Sequence, residues 1–129
     1  MEIFDTHCHL DLEVFDIDRD QILTNCRDKG VKQILVPAIN RQGWDKLLKC
    51  CSQERGLYPA LGLHPVFINE HQDTDLSLLE EYLADNKMIA IGEIGLDYFV
   101  EGLDKNRQLE IFEAQLAIAR DANLPVVLH

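Results

Sequence analysis

Five histidines, four cysteines and 23 Asp+Glu are the residues of this 129-residue chain best equipped to hold a metal ion or move a proton. His7 and His9 flank Cys8, His64 precedes Pro65 in Gly62-Leu63-His64-Pro65, and His129 follows the apolar run Pro125-Val126-Val127-Leu128. In an extended segment alternate side chains share a side, so His7 and His9 can grip one ion while Cys8 faces away and packs. Glu93, in Gly92-Glu93-Ile94-Gly95-Leu96-Asp97, follows apolar Ala90-Ile91 and is expected to be partly buried. A buried carboxylate without a partner is costly, and a cation compensates it. Three imidazoles and a carboxylate gathered at one point suit a divalent ion, and nitrogen and oxygen ligands favour Zn, Mn, Ni or Fe over Ca or Mg. A carboxylate that bridges two ions about 3.5–4 Å apart is the usual means of activating water and clamping a phosphate oxygen.

Singly, these signals are weak. His64 alone reads as a loop histidine, and Gly92-Glu93-Ile94-Gly95 as a tight turn with a capping carboxylate. His71, in Asn69-Glu70-His71-Gln72-Asp73, is expected to be solvated, as are the acids Asp73, Asp75, Glu80 and Glu81, read as helix-start residues. Trp44 is expected to pack between helix and sheet. Cys8, Cys26, Cys50 and Cys51 form no CxxC pair and read as reduced, mostly buried thiols of a cytoplasmic protein.

The elements that must position these groups alternate between strand and helix. Strands are expected at 3–6, 33–36, 57–61, 88–91 and 125–128, with Pro59 an awkward residue inside the third. Helices are expected at 18–29, after an Asn40 cap, from Asp73 or Asp75, and from about Lys105 to Ala122. Asp18 is a candidate N-cap and Gly30 a stop. Trp44, Leu47, Leu48 and Cys51 share one face of the second helix, Leu76, Leu79 and Leu83 one face of the third, and Leu109, Phe112, Leu116 and Ala119 are the expected buried face of the fourth. Such alternation implies a parallel sheet with crossover helices. Every strand is apolar until its C-terminal end, where the polar groups appear. In a parallel α/β protein those ends share one face, which carries the active site. His-x-His, Glu93 and His129 would therefore meet at the ends of strands one, four and five.

Composition narrows the function. The formal net charge is −11, with 47% hydrophobic and 27% charged residues. This is a globular pattern, expected to form one domain over residues 1–129. The acidity argues against a non-specific grip on duplex nucleic acid through basic residues, though not against a phosphate held through a metal. No apolar run reaches the roughly 20 residues of a membrane span, and the first residues do not read as a signal peptide.

In order, Asp5-Thr6-His7-Cys8-His9-Leu10-Asp11, Gly62-Leu63-His64-Pro65, Gly92-Glu93-Ile94-Gly95-Leu96-Asp97-Tyr98 and Leu124-Pro125-Val126-Val127-Leu128-His129 resemble the TatD family of metal-dependent deoxyribonucleases. Arg107-Gln108, Phe112 and Gln115-Leu116 fit the same pattern. The resemblance implies a TIM-like (β/α) barrel, of which this chain would supply the first four and a half βα units. It implies hydrolysis of DNA phosphodiester bonds, as an exonuclease, by water activated by two divalent ions drawn from Zn, Mn, Mg, Ni or Fe. Carried over, His7 and His9 bind the first ion, Glu93 bridges both, His129 binds the second, and His64 contacts the substrate phosphate. The catalytic assignments are thus Glu93 and His64. Asp11 and Asp97 belong to the motifs without an assigned role.

Family members are about twice as long. The resemblance implies a further histidine on strand six, a late aspartate near strand eight and an arginine soon after the fifth-strand histidine, none of them in this sequence. The chain alone is therefore expected to bind metal weakly and turn over little. Its first and fifth strands would be open edges prone to self-association. DNA or a small phosphodiester is the expected partner, without a membrane. Two other readings stand: an amidohydrolase or lactonase, which also opens with His-x-His, and an inactive half barrel.

Overall fold

Five parallel strands alternate with four helices: β1 (Ile3–Asp5), α1 (Arg19–Asp28), β2 (Val31–Pro37), α2 (Trp44–Gln53), β3 (Leu57–Leu61), α3 (Asp73–Asp85), β4 (Ala90–Ile94), α4 (Lys105–Asp121) and β5 (Val126–Leu128). The computed structural model describes residues 1–129. Order in space equals order in sequence, β1-β2-β3-β4-β5, with every neighbouring pair parallel. A sheet that only advances, each step made through a crossover helix, curls in one sense and forms half of a (β/α) barrel. β1 and β5 are its edges, where Phe4 and Leu128 are exposed.

Alternation along the strands sorts side chains onto two faces. Ile34, Val36, Leu57, Leu61 and Ile91 pack toward the helices with Leu23, Leu47, Leu79, Ile111 and Ile118 in the main core. Leu35, Ala60 and Ala90 form a separate cluster on the concave side. That side is an open trough of about 550 Å³, lined by Phe4, Leu35, Ala90, Val126 and Leu128 among others.

The helix boundaries follow local chemistry. The Asn40 side chain accepts from Gly43 N at 3.1 Å in the short turn that opens α2. Trp44 is fully buried, with its indole N–H on the Gly62 carbonyl at 3.2 Å. Gly30, at φ +94°, ends α1 in a conformation open to glycine. Asp18 stands at the α1 N-cap, but its side chain makes no capping bond. At α3 the Asp75 carboxylate, itself buried, accepts from Gln72 N at 2.9 Å, so it is not a solvated acid. Glu80 and Glu81 are exposed, but at mid-helix rather than in the first turn.

Two expectations shift. The fourth strand runs over Ala90–Ile94, not 88–91, so Glu93 lies inside the strand. The buried stripe of α4 is Gln108, Ile111, Gln115, Ile118 and Ala119, while Leu109 and Leu116 are exposed. Hydropathy sends glutamine outward; here both glutamines are buried because backbone groups satisfy their amides.

Candidate metal centre

The C-terminal ends of β1, β3, β4 and β5 bring His7, His9, His64, Glu93 and His129 together around one carboxylate. Glu93 is placed by an irregularity in β4. Ile91 and Ile94 both join the helix-side core although they stand three residues apart, and the β4–β5 register shifts between Gly92 and Ile94. A bulge of this kind re-aims the intervening side chain. It turns Glu93, with only 4% of its side chain exposed, toward the histidines.

The two carboxylate oxygens divide the histidines between them. Oε2 lies 2.8 Å from His7 Nε2 and 3.1 Å from His9 Nε2, and those two nitrogens are 3.3 Å apart. Oε1 lies 2.8 Å from His129 Nδ1 and 3.4 Å from His64 Nε2. Neither His7 nor His9 meets Oε2 along a hydrogen-bonding direction, so this buried oxygen has no hydrogen bond. A buried carboxylate oxygen left in that state, with two ring nitrogens converging beside it, has the geometry a cation satisfies. His7, His9 and Glu93 form one cluster of donor atoms, and His64, Glu93 and His129 a second.

The outer hydrogen bonds distinguish the rings. His9 Nδ1 donates to the Pro37 carbonyl at 2.8 Å, which leaves a lone pair on Nε2, as a metal ligand needs. His64 is the reverse: its Nδ1 accepts from Val66 N at 3.1 Å, so the neutral ring carries its proton on Nε2 and presents a donor there. His64 thus suits a phosphate oxygen better than a cation, although it stands in the second cluster. His129 faces Glu93 through Nδ1 and Asp97 Oδ2 through Nε2 at 2.9 Å. Its ring packs 4.4 Å, centroid to centroid, from that of His64.

Charge follows from this crowding. Burial alone would raise the Glu93 carboxyl, but the rings of His64, His9 and His129 crowded about it outweigh this and hold the group far below the ordinary carboxylate range. The Glu93 carboxylate raises His9, with burial opposing and the Pro37 carbonyl assisting. For His129 burial acts downward, yet Asp97 and Glu93 together raise it. Asp97 is lowered in turn by His129 and by the N–H groups of Val100 and Phe99.

Other residues depart from their sequence reading or had none. His71 is buried rather than solvated, with its Nε2–H on the His64 carbonyl at 2.8 Å, and burial lowers its pKa. Its polar sequence neighbours gave no hint of this. Asp11 is buried with Oδ1 unpaired, and burial raises its carboxyl. Cys8 packs against the core, on the side away from its flanking histidines. Asp97 and the carbonyl of Pro37 are the site's unanticipated orienting groups.

A family profile described as "TatD related DNase" matches residues 4–129. The chain belongs to the TatD family. It is 38% identical over 127 residues to the uncharacterized metal-dependent hydrolase YjjV of Escherichia coli K12, covering 97% of this chain and 49% of that protein. It is 34% identical over 127 residues to the uncharacterized metal-dependent hydrolase YabD of Bacillus subtilis, at 98% and 50% coverage. A third relative, 31% identical over 128 residues at 98% and 49% coverage, is the 3'-5' ssDNA/RNA exonuclease TatD of Erwinia tasmaniensis. The crystal structure of YjjV superposes with a TM-score of 0.93 at 37% identity, covering 98% of this chain and 50% of that one. The chain thus spans about half the length of these relatives. Its five strands correspond to half of a TatD barrel.

Proposed function

We propose that this protein hydrolyses phosphodiester bonds in DNA, as an exonuclease, with two divalent ions held about Glu93. The observation that carries this reading is the division of one buried carboxylate, Oε2 toward His7 and His9 and Oε1 toward His129 and His64. Membership of a family with an exonuclease among its members supports the choice of substrate. His7, His9 and Glu93 would hold the first ion; Glu93 and His129 would hold the second. When bound, such ions supply a nucleophile at neutral pH and positive charge against the phosphate. Glu93 fixes the spacing between the two sites. The Pro37 carbonyl holds the proton of the neutral His9 ring on Nδ1, so that Nε2 presents its lone pair. His64 donates from Nε2 to a phosphate oxygen and stabilises the charge that develops there. In a chain of net charge −11 the site itself, not a basic surface, draws the phosphate. The four unpaired thiols fit a cytoplasmic setting. These 129 residues offer the second ion only two ligands, fewer than the four a tetrahedral ion takes, so we expect the chain alone to bind it weakly.

The test is hydrolysis of end-labelled DNA and RNA, beside amide and lactone panels, before and after chelation, with single-metal add-back and Glu93→Gln. Loss of DNA cleavage on chelation, recovery with one or more of Zn, Mn, Mg, Ni and Fe, and failure of Glu93→Gln to recover are the expected results. Cleavage indifferent to chelator, or turnover confined to amides or lactones, would overturn the proposal.

A further inference from the structure

Helix α4 carries two glutamines seven residues apart, Gln108 and Gln115, 1% and 0% exposed. Seven residues are close to two helical turns, so both point to the same side. Burying a primary amide is costly unless its hydrogen bonds are made, and apart from one from Gln115 Nε2 to the Ile111 carbonyl of α4 itself, at 3.3 Å, these are made to the backbone of the two loops that carry the site. Gln115 Oε1 accepts from Leu63 N at 2.7 Å, and its Nε2 donates to the Leu63 carbonyl at 3.3 Å. Gln108 Nε2 donates to the Pro65 carbonyl at 3.2 Å and to the Asp97 carbonyl at 3.0 Å, while its Oε1 accepts from Asp97 N at 2.8 Å. His64 is therefore gripped at the residue before it and at the residue after it. Asp97 is held at both of its backbone polar groups. Its Oδ1 is taken up by the N–H groups of Phe99 and Val100 at 3.0 and 3.1 Å, which leaves Oδ2 aimed at His129 Nε2.

We infer that Gln108 and Gln115 are positioning residues. Through them α4 acts as a template that sets His64 and, by way of Asp97, His129 against Glu93. An apolar side chain of the same length would fill the volume equally well. It would leave the N–H and carbonyl of Leu63 or Asp97 and the carbonyl of Pro65 without these partners, and the loops free to shift. The glutamines' chemistry is thus directed at the loops rather than at the core. The activity arm of the test rests on the proposed function; the spectroscopic arm does not.

The experiment compares Gln115→Met, Gln108→Met and Asp97→Asn with the parent protein. The first readout is the ring nitrogen NMR spectrum of the metal-free protein, at a pH where the rings are neutral, since it reports which nitrogen carries the proton. Gln115→Met is expected to shift the His64 signals, Gln108→Met those of His64 and His129, and Asp97→Asn those of His129. His9, held by Pro37 on the far side of Glu93, should stay unchanged in all three. The second readout is steady-state DNA cleavage, where kcat is expected to fall about 10- to 100-fold with KM little changed, the scale of a misplacement near 1 Å. Histidine signals identical to the parent in the folded variants, or a His9 shift as large as the others, would overturn the inference. A methionine variant that does not fold is replaced by the corresponding Gln→Glu, which keeps Oε1 as acceptor and loses the donors, with the same result expected. A parent protein without DNA cleavage would sink the proposed function and leave the spectroscopic result to decide this one.

Discussion

Replacing Gly62 with alanine perturbs the metal centre without touching a ligand. A Cβ built on Gly62 would sit 2.8, 2.9 and 3.0 Å from the C, Cα and O atoms of Gly92, the residue before Glu93. Carbon atoms rest at roughly 3.5–4.0 Å, so β3 and β4 must separate by about 0.7 Å where the site is built. The obstacle is backbone, with no flexible side chain to yield. It is tied in place as well, because Gly92 O accepts from Ala38 N and Glu93 N donates to Ala38 O, each at 3.0 Å. Overpacking of this kind costs about 1–3 kcal/mol. Displacement of Glu93 by a sizeable fraction of an ångström, among rings now 2.8–3.4 Å away, should weaken metal binding about 10- to 100-fold. Gly43→Ala is the control: its φ is −85° and its nearest contact would be Asn40 Oδ1 at 3.5 Å. It should be neutral or stabilising by up to about 1 kcal/mol. Urea denaturation gives the stabilities and calorimetric titration with zinc the affinities. Gly62→Ala with parental stability and parental zinc affinity would refute the reasoning.

Glu93→Gln should remove zinc binding at both clusters together, because one carboxylate serves both; calorimetry that retains one undiminished site would contradict the bridging geometry. Burial lowers His71, so its neutral form is favoured in the folded state; its contribution to stability is complete above the ordinary histidine pKa and is lost as pH falls below it. The stability gap between the parent and His71→Asn should therefore narrow from pH 7 to pH 5, as read by urea midpoints, and a constant gap would exclude this linkage. Burial, reinforced by Cys50, pushes the Cys51 thiol up to about 12, so it should resist alkylation at pH 8 in the native protein and react on unfolding, as mass spectrometry of the modified peptides would show. Asp97→Asn should weaken the cluster containing His129 while sparing that of His7 and His9, measured by titration with a single metal.

Much of the architecture was legible because it depends on short-range patterns. Apolar runs separated by amphipathic stretches mark βα units, and β3 over Leu57–Leu61 falls where the sequence puts it, with Pro59 inside. The convergence of His7, His9, His64, Glu93 and His129 follows from parallel strands placing their C-terminal ends on one face. What misled was hydropathy used as a measure of burial. Leu109 and Leu116 are exposed, whereas Gln108, Gln115, His71, Asp75 and Asp11 are buried. For the glutamines, His71 and Asp75, partners for their polar atoms hold them inside, and most of those partners come from other elements. The seven-residue spacing of Gln108 and Gln115, in step with Ile111 and Ile118, was the one trace of this in the sequence.

By itself the sequence determined the family, the alternating elements and the identity of the groups that could bind a metal. Those depend on residue type, order and spacing along the chain. Only the tertiary structure decided which oxygen of Glu93 faces which histidines, that a register shift in β4 turns it there, and that His64 offers a donor where His9 offers a lone pair. The physical reason is that a ring's tautomer and a carboxylate's aim are set by hydrogen bonds to residues far off in sequence, Pro37 for His9 and Asp97 for His129, and no local pattern encodes those encounters.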